Sequence, residues 1–336
     1  MRLSRSTAGP AALLVATLAL AACGSTEAPT TASSTTPAPT SAEAAGPVTY
    51  TDERGEHTLD EPADAVVSLE WGLTENLLAL GANIVGQADV AGYNTWAQAM
   101  PLDAETPDVG TRGEASLEAI NALEPDLIAV TTDTADTVVD QLEDIAPVVV
   151  LRGSDGSDPI GYMRSTVETL ATVTGTTDKG AELLAGFDAK VTEAKAALAE
   201  AGVEGASFTM ADGWIANGTT SIRMYTSGSF FGALGDELGL VNAWPGEGDP
   251  NYGLETTDVE GLTVLADTEN LHFVYASNGG AEADPFATGL KDNAIWEQLP
   301  FVAAGDVHRL PDGIWMFGGP ASAGKYIDAL VAALTA

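Results

Sequence analysis

Apolar residues along this chain fall into two alternating rhythms from residue 65 onward. Apolar-rich runs at 65–69 (Ala-Val-Val-Ser-Leu), 126–131 (Asp-Leu-Ile-Ala-Val-Thr) and 147–151 predict buried strands, with 84–87 a shorter one. Between them the apolar positions recur at helical spacing. Thr74 opens a helix that Gly81 ends, Ser116 is placed to cap a second over 117–123, and 137–145 is a third. The second half repeats the rhythm. Strands are expected at 207–211, 271–276 and 307–310, and helices within 158–173 and at 230–238, 259–265 and 321–334, with 296–303 a helix or turn. Such alternation predicts an α/β fold with largely parallel sheets covered on both faces.

The longest helical pattern is 178–201, with Thr177 as N-cap and Gly202 as its end. Leu184, Phe187, Val191, Ala194 and Leu198 form its apolar stripe. At about 1.5 Å per residue it spans roughly 36 Å, enough to pass from one lobe to another. Periodicity alone fits equally a helix lying wholly on one sheet. The pattern also contains a weak echo. Leu117-Glu118-Ala119-Ile120 leads through an acidic turn to the strand at 127–130, and Val259-Glu260-Gly261-Leu262 leads through another to 271–275. Glu118 and Glu260 occupy the same place in each copy and face away from the apolar positions.

The first 47 residues have a different character. Arg2 and Arg5 precede an apolar run at 11–22, the plan of an export signal over 1–22, and the run is too short to span a bilayer comfortably. Cys23 is the only cysteine, so no disulfide forms within one molecule. Leu20-Ala21-Ala22-Cys23 resembles a bacterial lipobox. That resemblance implies a lipidated Cys23 as mature N-terminus, holding the protein at the outer, extracytoplasmic face of the cell membrane. Residues 23–47 are rich in Thr, Ser, Ala and Pro and predict a flexible tether. The folded part begins near Val48, and nothing later is hydrophobic enough to cross a membrane.

Charge narrows the partners. There are 13 Lys+Arg against 49 Asp+Glu, a net charge of −36. A nucleic-acid partner needs a basic face and is excluded. Solubility, as in a saline habitat, accounts for the acidity more simply than attraction of cationic solutes.

The motifs of catalysis are missing. There is no Gly-x-Ser-x-Gly, no P-loop and no Gly-x-Gly-x-x-Gly opening a helix. His57, His272 and His308 are scattered, and none has the spaced His or Cys partner of a zinc site. The expectation is a non-enzyme with no cofactor and no direct metal ligands. What stands out instead is aromatic residues just beyond expected strands: Trp71, Tyr93 and Trp96, Trp214, Tyr252, and Trp315 with Phe317. Ligands of open α/β sheets bind beyond the carboxyl ends of strands. Trp244 and Trp296 flank helices and are assigned to packing. Arg112 lies in the loop Val109-Gly-Thr-Arg-Gly-Glu, six positions before Glu118.

Several of these stretches carry a resemblance. The segment 65–81, Val109-Gly-Thr-Arg-Gly-Glu with Leu117-Glu118, Asn242-Ala-Trp, Trp296-Glu-Gln-Leu-Pro-Phe-Val-Ala-Ala-Gly and Ile314-Trp-Met-Phe-Gly resemble, in order, the iron-siderophore substrate-binding proteins of ABC importers, above all the ferric-hydroxamate-binding members. The resemblance covers 48–336. It implies the class III periplasmic-binding-protein fold, two α/β lobes (48–157 and 203–336) joined through helices at 158–202, with one long bridging helix at 177–202. It implies a monomer that holds a ferric siderophore between the lobes and delivers it to the transmembrane permease and its ATPase, iron entering only inside the chelate. Arg112 matches the donor to iron-bound hydroxamate oxygens. Trp71 and Trp96 match the N-terminal wall of the cleft, and Trp315 and Phe317 the C-terminal wall. Tyr252 stands where that family has tryptophan, Phe317 lacks the family hydroxyl, and no aromatic lies near Thr134. Glu118 and Glu260 match two carboxylates that dock on the permease. The same fold binding another bulky chelate (a different ferric siderophore, haem or a corrinoid) is the nearest alternative. A surface hydrolase is a more distant one, which would need a nucleophile–base pair in the cleft.

Overall fold

The computed structural model describes residues 46–278 and 283–335; the expected signal at 1–22, Cys23 and the tether as far as residue 45 lie outside the described residues. The described chain opens with an antiparallel hairpin, β1 (Val48–Asp52) and β2 (Gly55–Leu59). The first α/β run follows: β3 (Val66–Ser68), α1 (Trp71–Leu80), β4 (Ile84–Gln87), α2 (Val90–Trp96), the two-residue strands β5 (Gly110–Thr111) and β6 (Glu114–Ala115), α3 (Leu117–Ala122), β7 (Leu127–Thr131), α4 (Asp136–Glu143) and β8 (Val148–Leu151). Four strands pair in parallel in the order β4-β3-β7-β8. All residues of β3, β7 and β8 are buried, as strands covered on both faces must be.

Two helices lead out of this sheet, α5 (Pro159–Val173) and the 25-residue α6 (Thr177–Ala201). The second half contains β9 (Ser207–Ala216), β10 (Thr219–Tyr225), α7 (Phe230–Glu237), β11 (Val241–Asn242), β12 (Leu254–Thr257), a 3-10 helix (Gly261–Leu265), β13 (His272–Tyr275), α8 (Ala294–Gln298), α9 (Pro300–Ala304), β14 (Val307–Arg309) and α10 (Pro320–Leu334). Its sheet is mixed. β13 pairs in parallel with β9 and β14, whereas β10 and β12 extend it antiparallel on the other edge of β9. That antiparallel extension was not expected from the sequence. It begins at a tight turn in which Asn217 and Gly218 both have positive φ (52° and 79°), the pairing an Asn-Gly hairpin favours. The short helix expected at 259–265 forms over Gly261–Leu265, as a 3-10 helix where its counterpart α3 is an α-helix.

α6 starts against the first sheet's helices and finishes against those of the second. Near its start, Gly180 lies so close to α5 that an added Cβ would stand 2.8 Å from that of Ala171. Farther along, Lys190 pairs with Asp328 of α10 at 2.7 Å and Lys195 with Glu237 of α7 at 2.8 Å. Its N-cap is Thr176, one residue earlier than the sequence suggests, and Gly202 ends it in the left-handed region at φ 73°. Phe187, Val191, Ala194 and Leu198 enter one continuous apolar core. That core includes Leu127, Ala129 and Val149 of the first sheet and Phe208, Met210 and Val274 of the second.

Candidate functional site

The carboxyl ends of β3, β7, β8 and β9 open on one cleft of about 480 Å³, within the usual range for small-molecule sites. Arg112 enters it from the turn between β5 and β6. Gly110 makes that turn possible, with φ 113° and a position where a Cβ would lie 2.7 Å from the Glu114 carbonyl. The guanidinium lies 4.0 Å from the ring centre of Trp71 and 5.4 Å from that of Trp315. Its Nη1 donates to both carboxylate oxygens of Glu70, at 2.9 and 3.2 Å. Nε and Nη2 have no protein partner among the described residues. Burial pushes the Glu70 carboxyl above the ordinary glutamate range, and Arg112 pulls it back.

The aromatic wall is continuous. Trp71 meets Trp315 edge-on at 4.9 Å, Trp315 meets Phe317 at 5.2 Å, and Phe317 meets Tyr252 at 5.4 Å. The two halves of the chain approach closely here: a Cβ on Gly72 would lie 2.3 Å from the Phe317 carbonyl. Tyr252 reaches across the cleft, and its hydroxyl donates to Asp133, which follows β7. On the far side, Asn278 Nδ2 donates to the Thr95 carbonyl at 2.9 Å. Trp96 and the 40%-exposed Trp214 complete the lining.

Thus Arg112, Trp71, Trp96, Trp214, Tyr252, Trp315 and Phe317 converge on one cavity. Tyr93 does not, and the expectation that it binds ligand is corrected. The Gly-Tyr-Asn-Thr-Trp stretch is helical rather than a loop, and Tyr93 takes the core-facing position of α2, where its hydroxyl donates to the Met100 carbonyl at 2.6 Å. Glu118 and Glu260 are both exposed, one in the first turn of α3 and the other just before the 3-10 helix.

Two cleft arginines were missed by sequence reasoning. Arg223 of β10 makes a fork to Asp212 of β9, through Nε at 2.9 Å and through Nη2, while Tyr225 donates to the same carboxylate at 3.0 Å. Arg152, after β8, donates to Glu53 at 3.0 Å and Asp155 at 2.7 Å and stacks 4.4 Å over Tyr162. The available signal was scarcity: with only 13 basic residues in the chain, three arginines on strand ends are a large share. The scattered histidines also need correcting. His57 pairs with Asp52 at 3.0 Å, but His272 and His308 stand side by side, Nδ1 to Nε2 at 3.4 Å, because β13 and β14 are neighbours. Burial and the adjacent His272 push the His308 imidazole below its usual range.

Two α/β halves, a long helix running between them and a cleft at strand carboxyl ends define a solute-binding protein of the class III periplasmic type. The sequence profile of the periplasmic binding protein family matches residues 66–313, and this chain belongs to that family. The iron(3+)-hydroxamate-binding protein FhuD of Escherichia coli K12 is 27% identical over 266 residues, which span 79% of this chain and 85% of that protein. The probable siderophore-binding lipoprotein YfiY of Bacillus subtilis 168 is 26% identical over 329 residues, 94% of this chain and 93% of that one. Among solved structures, the Fe3+-Desferal-bound siderophore-binding protein FhuD of Vibrio cholerae has 29% identity and a TM-score of 0.69, covering 81% of this chain and 98% of that one.

Proposed function

We propose that this protein captures a ferric siderophore of the hydroxamate type and delivers it to an ABC permease, working as a monomer tethered to the outer face of the cell membrane through lipidated Cys23. The observation that carries the ligand class is the charge balance of the cleft. Its arginine and carboxylate lining consists of Arg112, Arg152 and Arg223 with Glu70, Asp133 and Asp212, three groups of each sign. A polyanionic chelate, such as an iron–catecholate or iron–citrate complex, needs surplus positive charge to offset its desolvation. An iron–hydroxamate core is neutral. It offers a ring of partly negative oxygens to a donor and a hydrocarbon shell to aromatic surfaces, which Arg112 and the Trp71–Trp315–Phe317 wall supply. Because the chelate fills iron's coordination sphere, the cleft needs no metal ligands of its own. The names of the Escherichia coli and Vibrio cholerae relatives agree with this reading, and the Bacillus subtilis lipoprotein agrees with the anchor.

Titration with a panel of ferric chelates, read by quenching of the cleft tryptophans, tests the assignment. Saturable quenching by ferric trihydroxamates, and weaker or none by ferric catecholates, ferric citrate, haem and corrinoids, is the expected result. Preference for an anionic chelate or a corrinoid overturns the ligand class.

A further inference from the structure

Toward the amino ends of β13 and β14, and outside the cleft lining, the chain brings together three groups that no part of the transport reading uses. β14 is the edge strand of its sheet. In the parallel register Phe273 lies opposite Val307 and Val274 opposite His308, which sets His272 opposite Asp306. Side chains alternate along a strand, so Asp306 and His308 share one face of β14. His272 shares that same face on β13, because it lies two residues before Val274, the partner of His308. The ligand atoms of all three lie within 4.8 Å of one another, and all three residues are partly exposed.

We propose that His272, Asp306 and His308 form a binding site for a divalent transition-metal ion of the zinc type. The spacing fits. A zinc–imidazole bond is about 2.0–2.1 Å, so two nitrogens on one tetrahedral edge stand roughly 3.3–3.4 Å apart. His272 Nδ1 and His308 Nε2 are 3.4 Å apart, with their rings tilted 34° to one another. For an imidazole–imidazole hydrogen bond the same distance is long. Two imidazoles and one carboxylate suit zinc, cobalt, nickel or copper better than the hard cations calcium and magnesium, which favour all-oxygen sites. Partial exposure leaves the fourth position to water. The ion fastens the edge strand β14 to β13. Because it binds the folded chain, it raises the thermal midpoint, and the rise grows with the logarithm of its concentration over its Kd. The site is separate from siderophore capture and stands whether or not the cleft takes a hydroxamate.

Cobalt(II) titrated into the untagged mature protein is the direct probe, since tetrahedral cobalt absorbs strongly in the visible. One equivalent should bind with a tetrahedral spectrum and be displaced by zinc, and zinc should raise the thermal midpoint. His308→Ala and His272→Ala should each weaken binding at least tenfold and abolish the zinc-dependent rise, whereas His57→Ala should change neither. Where His308→Ala fails to fold, as judged by circular dichroism, His308→Gln replaces it. Absence of a saturable cobalt spectrum, or binding that survives both histidine variants unchanged, overturns the site.

Discussion

Arg112 is held from one side and open on the other. Glu70 takes Nη1, Trp71 supports the flat face of the guanidinium, and the remaining nitrogens are left for a ligand. A lysine at this position would keep the charge but lose both the fork and the stacked plane. Charge-assisted hydrogen bonds contribute about 1.5–3 kcal/mol each, so Arg112→Ala should raise the Kd for a ferric hydroxamate roughly ten- to hundredfold. Arg112→Lys should recover little of the loss. A fluorescence titration checks both, and an unchanged Kd for Arg112→Ala would remove this residue from the ligand contact. Arg112 was legible because its own turn announces it, in Gly110-Thr111-Arg112-Gly113. Arg152 and Arg223 were not, because what orients them lies elsewhere in the chain: Glu53 is 99 residues from Arg152, and Asp212 meets Arg223 only across the hairpin of β9 and β10. Tyr93 misled for a related reason. A residue near a strand end faces the cleft or the core according to the helical phase of its segment, and proximity to the strand does not give that phase.

Among the elements, α1 has the widest reach. Its first residue, Trp71, belongs to the cleft wall, and one turn later the fully buried Glu75 crosses to the other half of the chain. There it accepts from the backbone N–H of Gly319 at 2.8 Å and of Ser322 at 3.0 Å, and from the Ser322 hydroxyl. A carboxylate so placed satisfies amides at the start of α10 and meets the positive end of that helix. Burial nevertheless pushes its pKa above the ordinary glutamate range. The folded state therefore holds this proton at pH values where the unfolded chain has released it. The associated stability is full below about pH 4.3, the unfolded value, and is lost as pH rises through the raised one. Urea unfolding should show the midpoint of Glu75→Gln gaining on that of the native protein across this window. A pH-independent gap between the two would contradict the argument. Glu75→Ala leaves three donors unsatisfied and should cost about 3 kcal/mol or more at any pH. The helices and parallel strands were readable because each carries its period and its cap within a short window. The pairing of β10 and β12 was not, although Asn217-Gly218 marked the hairpin. The stretch after that turn opens with Thr219-Thr220-Ser221 and carries Arg223, so it lacks the apolar run that marks the parallel strands.

For the molecule as a whole, the alternating pattern predicted α/β sheets, and the family resemblance supplied two lobes joined by the long helix. What they left out was the way one core runs through both sheets by way of α5, α6, α7 and α10. Halves packed on a shared core shift little against each other, so a partner that recognises one surface patch on each half meets them at a nearly fixed separation. Glu118 and Glu260 fit that description, since each is exposed at the start of a short helix. The double change Glu118→Ala with Glu260→Ala should leave siderophore affinity intact and abolish siderophore-dependent iron uptake by cells. Uptake at the native rate would end the docking proposal. The −36 charge acts at this scale too, as a field that repels anionic chelates before contact and weakens with added salt.

The bond from Tyr252 to Asp133 has a consequence that belongs to time rather than to affinity. It spans the cleft, with Tyr252 lying so low over the opposite side that a Cβ on Gly153 would be 2.0 Å from its hydroxyl oxygen. On the proposed function a bulky chelate enters and leaves past this point, and a bond that re-forms over the bound chelate opens for each passage. A barrier crossed in both directions alters both rates without altering their ratio. Tyr252→Phe keeps the ring and removes the bond. In stopped-flow mixing it should speed capture and release by similar factors and leave the Kd within about twofold of native, against a net hydrogen-bond contribution of about 0.5–1.5 kcal/mol had the bond served affinity alone. The same latch would then govern how long a loaded protein retains its cargo before it meets the transporter.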